Sequence, residues 1–119
     1  MIELSDSHKS HIQGVLSELF VKYYLIEKGF IVQKAIYVLP GRSYVKKKEI
    51  TKALKELPSE KIDEILKIVE ENKDGFPDLI CVKEGEISFV EVKTTSTPND
   101  NQEETHRKLR ELGFKVEVI

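Results

Sequence analysis

Apolar residues recur along the chain with two different periods, which divide it into predicted helices and strands. From about Asp6 to Lys28 they return every three or four positions, with N-capping residues at 5–7 and Gly29 at the end. This spacing predicts one long helix. Its apolar stripe consists of Ile12, Val15, Leu16, Leu19, Phe20 and Tyr23. A second, smaller face consists of Gly14, Glu18, Val21 and Leu25. Glu18 is therefore a carboxylate on an otherwise small or apolar face.

The middle of the chain combines a strand, a basic stretch and two helices. The β-branched and aromatic residues of 30–39 predict a strand that ends at Pro40-Gly41. Between Lys34 and Lys55 there are seven basic residues and one acidic residue. Helices are predicted at 48–56 and 60–72, the second capped by Ser59. Its apolar face is assigned to the core, with a dimer surface as the alternative; it consists of Ile62, Ile65, Leu66 and Val69.

The last third of the chain predicts a hairpin, a helix and a strand. A turn at 75–77 precedes a strand at 79–82, a polar turn in which Gly85 supplies a positive φ, and a strand at 87–93. A helix at 101–112, capped by Asn99 or Asp100, leads to a strand at 114–119. This order predicts an α/β sandwich with a mixed central sheet flanked by helices, in a single domain over 1–119. The segment 40–73 is interpreted as a helical insertion.

The amino-acid composition argues against several functional classes. The net charge of −2 excludes a globally basic nucleic-acid binder, although a local basic patch stays open. One cysteine and three histidines argue against a zinc site, and Cys81 lies in an apolar run typical of a buried position. There is no signal-peptide pattern and no apolar run of membrane-spanning length. We therefore expect a cytoplasmic protein.

Three charged residues stand where a hairpin would bring them together. Asp78 begins one predicted strand and Glu91 ends its antiparallel partner, so the two carboxylates can meet. Lys93, two positions after Glu91, leaves the same face of the sheet. Two carboxylates suit Mg²⁺, and a nearby lysine can hold an attacking water. On these residues alone, a structural Glu–Lys pair on a solvated sheet face is the alternative.

Pro77-Asp78 followed by Glu91-Val92-Lys93 on the next strand resembles the PD-(D/E)XK nuclease superfamily, which has the restriction-endonuclease-like fold. The spacing of Gly14, Glu18, Leu25 and Gly29-Phe30 resembles the first helix of its small members, archaeal Holliday-junction resolvases among them. The C-terminal part resembles the virus-type replication–repair nuclease domain (VRR-NUC). The residues that carry this second likeness are 75–80, 91–93, Gln102, Leu109, Gly113-Phe114 and Val116. Together the resemblances cover about residues 12–33 and 75–119.

The resemblance implies a Mg²⁺-dependent DNA endonuclease, with Mn²⁺ able to substitute. It implies that Glu18, Asp78 and Glu91 hold the metal, directly or through water. Lys93 would position the attacking water, and Gln102 would orient the substrate or the lysine. Branched, flapped, nicked and plain duplex DNA all stay open as substrates, with roles in repair, recombination or replication. The rivals are a nuclease fold used only for DNA binding or assembly, and a structural domain with an incidental Glu–Lys pair.

Candidate DNA contacts lie around the basic stretch and after the second hairpin strand. The basic stretch is expected to bind phosphates, with a solvated loop as the alternative, whereas loop polarity explains the threonines after Lys93 equally well. The candidates are Lys34, Arg42, Tyr44, Lys46, Lys47, Lys48, Thr94 and Thr95. His106 lies one helical turn after Gln102 and is expected on the surface of the last helix, with a position facing the site or a phosphate as the alternative. A nuclease this small needs two sites to cut both strands together, which predicts a homodimer.

Overall fold

The computed structural model describes residues 3–35, 47–93 and 99–119. Their elements follow the predicted order, and most ends are displaced by one or two residues. The first strand, predicted over 30–39, ends at Lys34, and positions 36–39 of that prediction lie outside the described residues. The helices are α1 (Asp6–Glu27), α2 (Lys48–Glu56), α3 (Ser59–Glu71) and α4 (Asp100–Glu111), with a 3-10 turn at Lys73–Gly75. The strands are β1 (Ile31–Lys34), β2 (Leu79–Lys83), β3 (Glu86–Glu91) and β4 (Lys115–Val118). Ser59 is the first residue of α3 rather than its cap, because Pro58 occupies the N-cap position.

The four strands form one mixed sheet in the order β1-β2-β3-β4. Strands β1, β2 and β3 pair antiparallel, and β4 pairs parallel to β3. The parallel pair needs a crossover, which α4 supplies between β3 and β4. This arrangement confirms the predicted α/β class with a mixed sheet and is consistent with a restriction-endonuclease-like fold.

Helices cover both faces of the sheet. On one face α2, α3 and α4 contribute Ile50, Ile65 and Leu109 to a core that includes Ile80 and Phe89. The helices of segment 40–73 therefore belong to the main core. On the other face, α1 packs through a smaller cluster that consists of Val21, Leu25, Val32, Leu79, Cys81 and Val90. Cys81 is fully buried, as predicted.

Helix α1 uses the smaller of its two predicted faces to pack on the sheet. Val21 and Leu25 are its only buried residues, whereas the longer apolar stripe is exposed, with Phe20 at 76%. Both sides of α1 carry apolar side chains, so periodicity alone does not decide which side meets the sheet. Over the residues that the structure describes, no helix has the length and apolar character to cross a membrane.

The hairpin turn fixes the register of the site-bearing strands. Gly85 has a positive φ of 80°, as predicted, and Glu84 also lies in the left-handed region with a φ of 53°. Two such residues in succession form the tight turn that matches the twist of an antiparallel pair. The turn aligns Leu79 with Val90, which sets the positions of the residues just beyond them.

Gly75 is required by the packing of the 3-10 turn against α4. A Cβ here would lie 2.7 Å from Asn72 Nδ2 and 2.9 Å from the backbone oxygen of Asn101. Asn72 Nδ2 donates to that oxygen and to Thr105 Oγ1, so it has little freedom to move. We expect Gly75→Ala to lower the free energy of unfolding by about 1–3 kcal/mol.

Urea denaturation would measure this loss, with Gly14→Ala as the matched control. Nothing lies within 4 Å of a Cβ at Gly14, in the exposed part of α1. That variant should therefore gain about 0.5–1 kcal/mol, because alanine is the better helix former. Equal effects at the two glycines would contradict the packing argument.

Candidate active site

Asp78 and Glu91 lie at the same end of the β2–β3 hairpin. The pairing of Leu79 with Val90 places the preceding residue, Asp78, opposite Glu91. Asp78 Oδ2 accepts a hydrogen bond from the backbone N–H of Val92 at 2.9 Å, which ties its carboxylate to the end of β3. The structure therefore brings these two predicted site residues together.

Glu91 is buried, with 3% of its surface exposed. Its Oε1 accepts a hydrogen bond from Gln102 Nε2 at 2.8 Å and lies 3.8 Å from Lys93 Nζ. Its Oε2 is also buried and has no hydrogen-bond partner among the residues that the structure describes. An unpartnered carboxylate oxygen is costly to bury, so this atom suits either a proton or a cation.

The surroundings of Glu91 favour its protonated form. Burial, and next the nearby charge of Asp78, raise the pKa of Glu91 to about 7 against the opposing effect of Lys93. The negative charge of Asp78 repels the ionised form of this buried carboxyl. A divalent cation between them would remove this repulsion, so the donor set fits a hard metal ion.

Gln102 is held in one orientation by the start of α4. Its backbone N–H donates to Asn99 Oδ1 at 2.9 Å, and its Oε1 accepts from the Asn99 backbone N–H at 3.1 Å. This reciprocal capping occupies the amide oxygen and leaves Nε2 to donate to Glu91. The capping bonds therefore aim the amide of Gln102 at the site.

Glu18 is not in contact with the other carboxylates. It pairs with Lys34 Nζ at 3.3 Å, and its charge has only a small effect on the pKa of Glu91. In the parts of the chain that the structure describes, no three His, Cys, Asp or Glu side chains form a group that could hold a metal. A metal role for Glu18 stays a prediction that requires its carboxylate to leave Lys34.

His106 is buried rather than on the surface, which corrects the expectation from sequence. It is 2% exposed, and its Nε2 has no hydrogen-bond partner in the structure. Burial lowers its pKa, and the charges of Arg110 and Lys93 lower it further. Its position one helical turn after Gln102, on the face of α4 that meets the sheet, was the sequence signal that supported the other alternative.

The candidate DNA contacts are only partly described. Lys34 pairs with Glu18, and Lys47 and Lys48 are exposed at the start of α2. The backbone N–H of Lys47 donates to Gln33 Oε1 at 3.0 Å, which ties this basic segment to β1. Five candidates lie outside the described residues: Arg42, Tyr44, Lys46, Thr94 and Thr95.

Comparison with known proteins identifies the domain. The family model of the VRR-NUC domain matches residues 9–119, which includes the segment 40–73 that the resemblance from sequence left out. No curated protein and no solved structure matches the chain. The match covers nearly the whole chain and contains each of the five predicted site residues, which are Glu18, Asp78, Glu91, Lys93 and Gln102. The chain belongs to the VRR-NUC family, a nuclease domain of the PD-(D/E)XK type.

Proposed function

We propose that this chain is a Mg²⁺-dependent DNA endonuclease whose active site lies at Asp78 and Glu91, and that Mn²⁺ substitutes for Mg²⁺. The observation that carries the proposal is the buried, unpartnered Oε2 of Glu91 beside a second carboxylate. In a structural ion pair on a solvated sheet face, water would hydrate this oxygen. Its burial without a partner therefore argues against that alternative. Hard oxygen donors of this kind are those that Mg²⁺ prefers.

Asp78 and Glu91 are the residues that would hold the metal. Their proximity and the raised pKa of Glu91 support this role. Glu18 would join them, directly or through water, once Lys34 pairs with a DNA phosphate instead. A bound divalent cation supplies positive charge that activates a water and offsets the negative charge on the attacked phosphate.

Lys93 and Gln102 act beside the carboxylates. The lysine side chain is 23% exposed and lies 3.8 Å from Glu91, so its ammonium group can face both the carboxylate and solvent. From there it would position the attacking water and stabilise charge on the phosphate oxygens. Gln102 would hold the Glu91 carboxylate in one orientation through its fixed amide.

The proposed DNA contacts are the basic residues between Lys34 and Lys48, together with the threonines after Lys93. Exposed Lys47 and Lys48 would bind phosphates, with Lys34 released from Glu18 in the complex. Arg42, Tyr44, Lys46, Thr94 and Thr95 would add to them. We further propose that the protein is a cytoplasmic homodimer. Its substrates would be branched or flapped DNA, Holliday junctions included, in repair, recombination or replication.

Cleavage of a panel of labelled DNA would test the function. The substrates are plain duplex, nicked duplex, a flap and a four-way junction, each with Mg²⁺, with Mn²⁺ or with EDTA. We expect cleavage with either metal and none with EDTA, and the relative rates would identify the preferred DNA shape. No cleavage of any substrate by the folded protein would contradict the proposal.

One observation favours a second function, a nuclease fold that only binds DNA. Glu18 is occupied by Lys34, so the described residues do not present a closed set of three carboxylates. Calorimetry with Mn²⁺ distinguishes the two functions. Metal binding that disappears in Asp78→Asn supports the nuclease, whereas DNA binding without any metal binding supports the second function.

A further inference from the structure

The N-terminal half of α1 extends away from the rest of the molecule. No residue from Asp6 to Leu16 is buried, and the helix reaches the core only at Val21 and Leu25. The Cα atoms extend over 53 × 31 × 26 Å, with a radius of gyration of 15.0 Å. A compact chain of this length would have a radius of about 13.5 Å. An isolated helical segment this short is marginal in water, and the described residues of the chain do not bury any side chain of this half of α1.

The exposed side of α1 is apolar along most of its length. Phe20 is 76% exposed, Tyr23 64% and Leu16 60%. At about 100° per residue, the stripe lies on the side opposite Val21 and Leu25. Its exposed members are Ile12, Val15, Leu16, Leu19, Phe20, Tyr23 and Ile26.

The centre of this stripe has the spacing of a helix–helix seam. Steps of four, three, four and three residues separate the five central positions, an average of about 3.5 residues, which suits two helices that wrap around each other. These positions are Ile12, Leu16, Leu19, Tyr23 and Ile26. The outward face of an ordinary surface helix is polar and does not show this apolar repeat.

We propose that two copies of this chain pair through the stripe, α1 against α1, in antiparallel orientation. This inference rests on the proposed dimer and assigns its surface. The seven exposed side chains are about half exposed on average, which amounts to roughly 750 Å² if each has about 200 Å² in full exposure. A standard stable interface buries about that area on each partner. The patch is larger than a typical monomer exposes.

The charges at the two ends of α1 favour the antiparallel arrangement. Lys9 and Glu27 project from the same flank of the stripe, near opposite ends of the helix. In an antiparallel pair centred between Ser17 and Glu18, Lys9 of one copy would lie beside Glu27 of the other. A parallel pair would instead keep Lys9 of one copy about 27 Å along the axis from Glu27 of the other, so this contact between opposite charges would not form. Antiparallel helices also align their dipoles favourably.

The pairing leaves the active site open. Glu18 projects from the side of α1 that faces β1, where it contacts Lys34, and not from the stripe. Two sites would therefore lie on the outer sides of the paired helices, related by a two-fold axis. This placement would let one dimer attack two strands of a DNA molecule.

Analytical ultracentrifugation over a concentration series tests the pairing. The wild type is expected at twice the chain mass of 13.7 kDa, and Leu16→Glu at the chain mass, because it places acidic groups inside the seam. Leu16 is exposed in the monomer, so the variant should keep its circular dichroism spectrum. Ser10→Glu, exposed on another side of α1, is the matched control and should stay dimeric. A monomeric wild type at all concentrations, or a dimeric Leu16→Glu, would overturn the proposal.

A spin label at Lys9→Cys determines the orientation, since native Cys81 is buried. Antiparallel pairing separates the two labels by roughly 25 Å along the helices, whereas parallel pairing brings them side by side. Labels side by side would overturn the antiparallel arrangement. A dimeric wild type without DNA cleavage would contradict the proposed nuclease and still support the pairing, so the two failures are distinguishable.

Discussion

Asp78→Asn is expected to slow metal-dependent DNA cleavage about 100- to 1000-fold and leave the fold intact. The asparagine oxygen can still accept the hydrogen bond from the Val92 backbone N–H, so the local structure is retained. The variant loses the negative charge that would hold the metal beside Glu91. Gel-based cleavage rates, together with circular dichroism, measure the two effects separately.

Asp74→Asn is the matched control for this substitution. Asp74 lies four residues earlier, in the 3-10 turn, with its side chain exposed. It should cleave at the wild-type rate. Wild-type cleavage by purified Asp78→Asn would reject Asp78 as a metal ligand, and equal losses in both variants would indicate a general effect of charge on DNA binding.

Glu91→Gln is expected to abolish cleavage and change how stability depends on pH. The pKa of Glu91 is raised to about 7 in the folded protein, chiefly by burial, from a value of 4.5 in an exposed glutamate. Between these two values the folded state binds the proton more tightly than the unfolded state. The metal-free wild type should therefore lose stability as the pH rises from 4.5 to 7, with no further loss above 7.

The size of this effect follows from the shift in pKa. Ionisation of Glu91 should cost the wild type about 3 kcal/mol of its free energy of unfolding by pH 8. Glutamine has no charge to bury, so the variant should gain about that amount relative to the wild type between pH 4.5 and pH 8. Titrating groups distant from Glu91 contribute equally to both proteins and cancel in the difference.

Urea denaturation of the two proteins at several pH values measures this difference. Added Mn²⁺ at pH 8 should raise the melting temperature of the wild type and leave that of Glu91→Gln unchanged. A constant difference in stability from pH 4.5 to pH 8 would show that Glu91 ionises normally. Glu86→Gln, at the exposed start of β3, is the control and should follow the wild type.

Local sequence determined the elements and part of the site. The hairpin turn at Glu84-Gly85 sets the register of two consecutive strands, so the meeting of Asp78 with Glu91 follows from residues that are close in sequence. The link from Gln102 to Glu91 needed more than local sequence. The capping box is a local signal, but only the resemblance to known nucleases indicated that its helix returns to the hairpin.

Only the tertiary structure decided which surfaces are buried. Helix α1 has apolar residues on two sides, and periodicity measures how they are spaced and not which side meets the sheet. The same limit explains His106, whose burial depends on how α4 docks on the sheet, and the pairing of Glu18 with Lys34 across two elements. Turns and helix caps form between residues that are close in the sequence and can be predicted from it, whereas burial depends on how the whole chain packs. The sequence by itself therefore determined the helices, the hairpin and its facing carboxylates, and the assembled fold decided that α1 turns its longer apolar stripe outward.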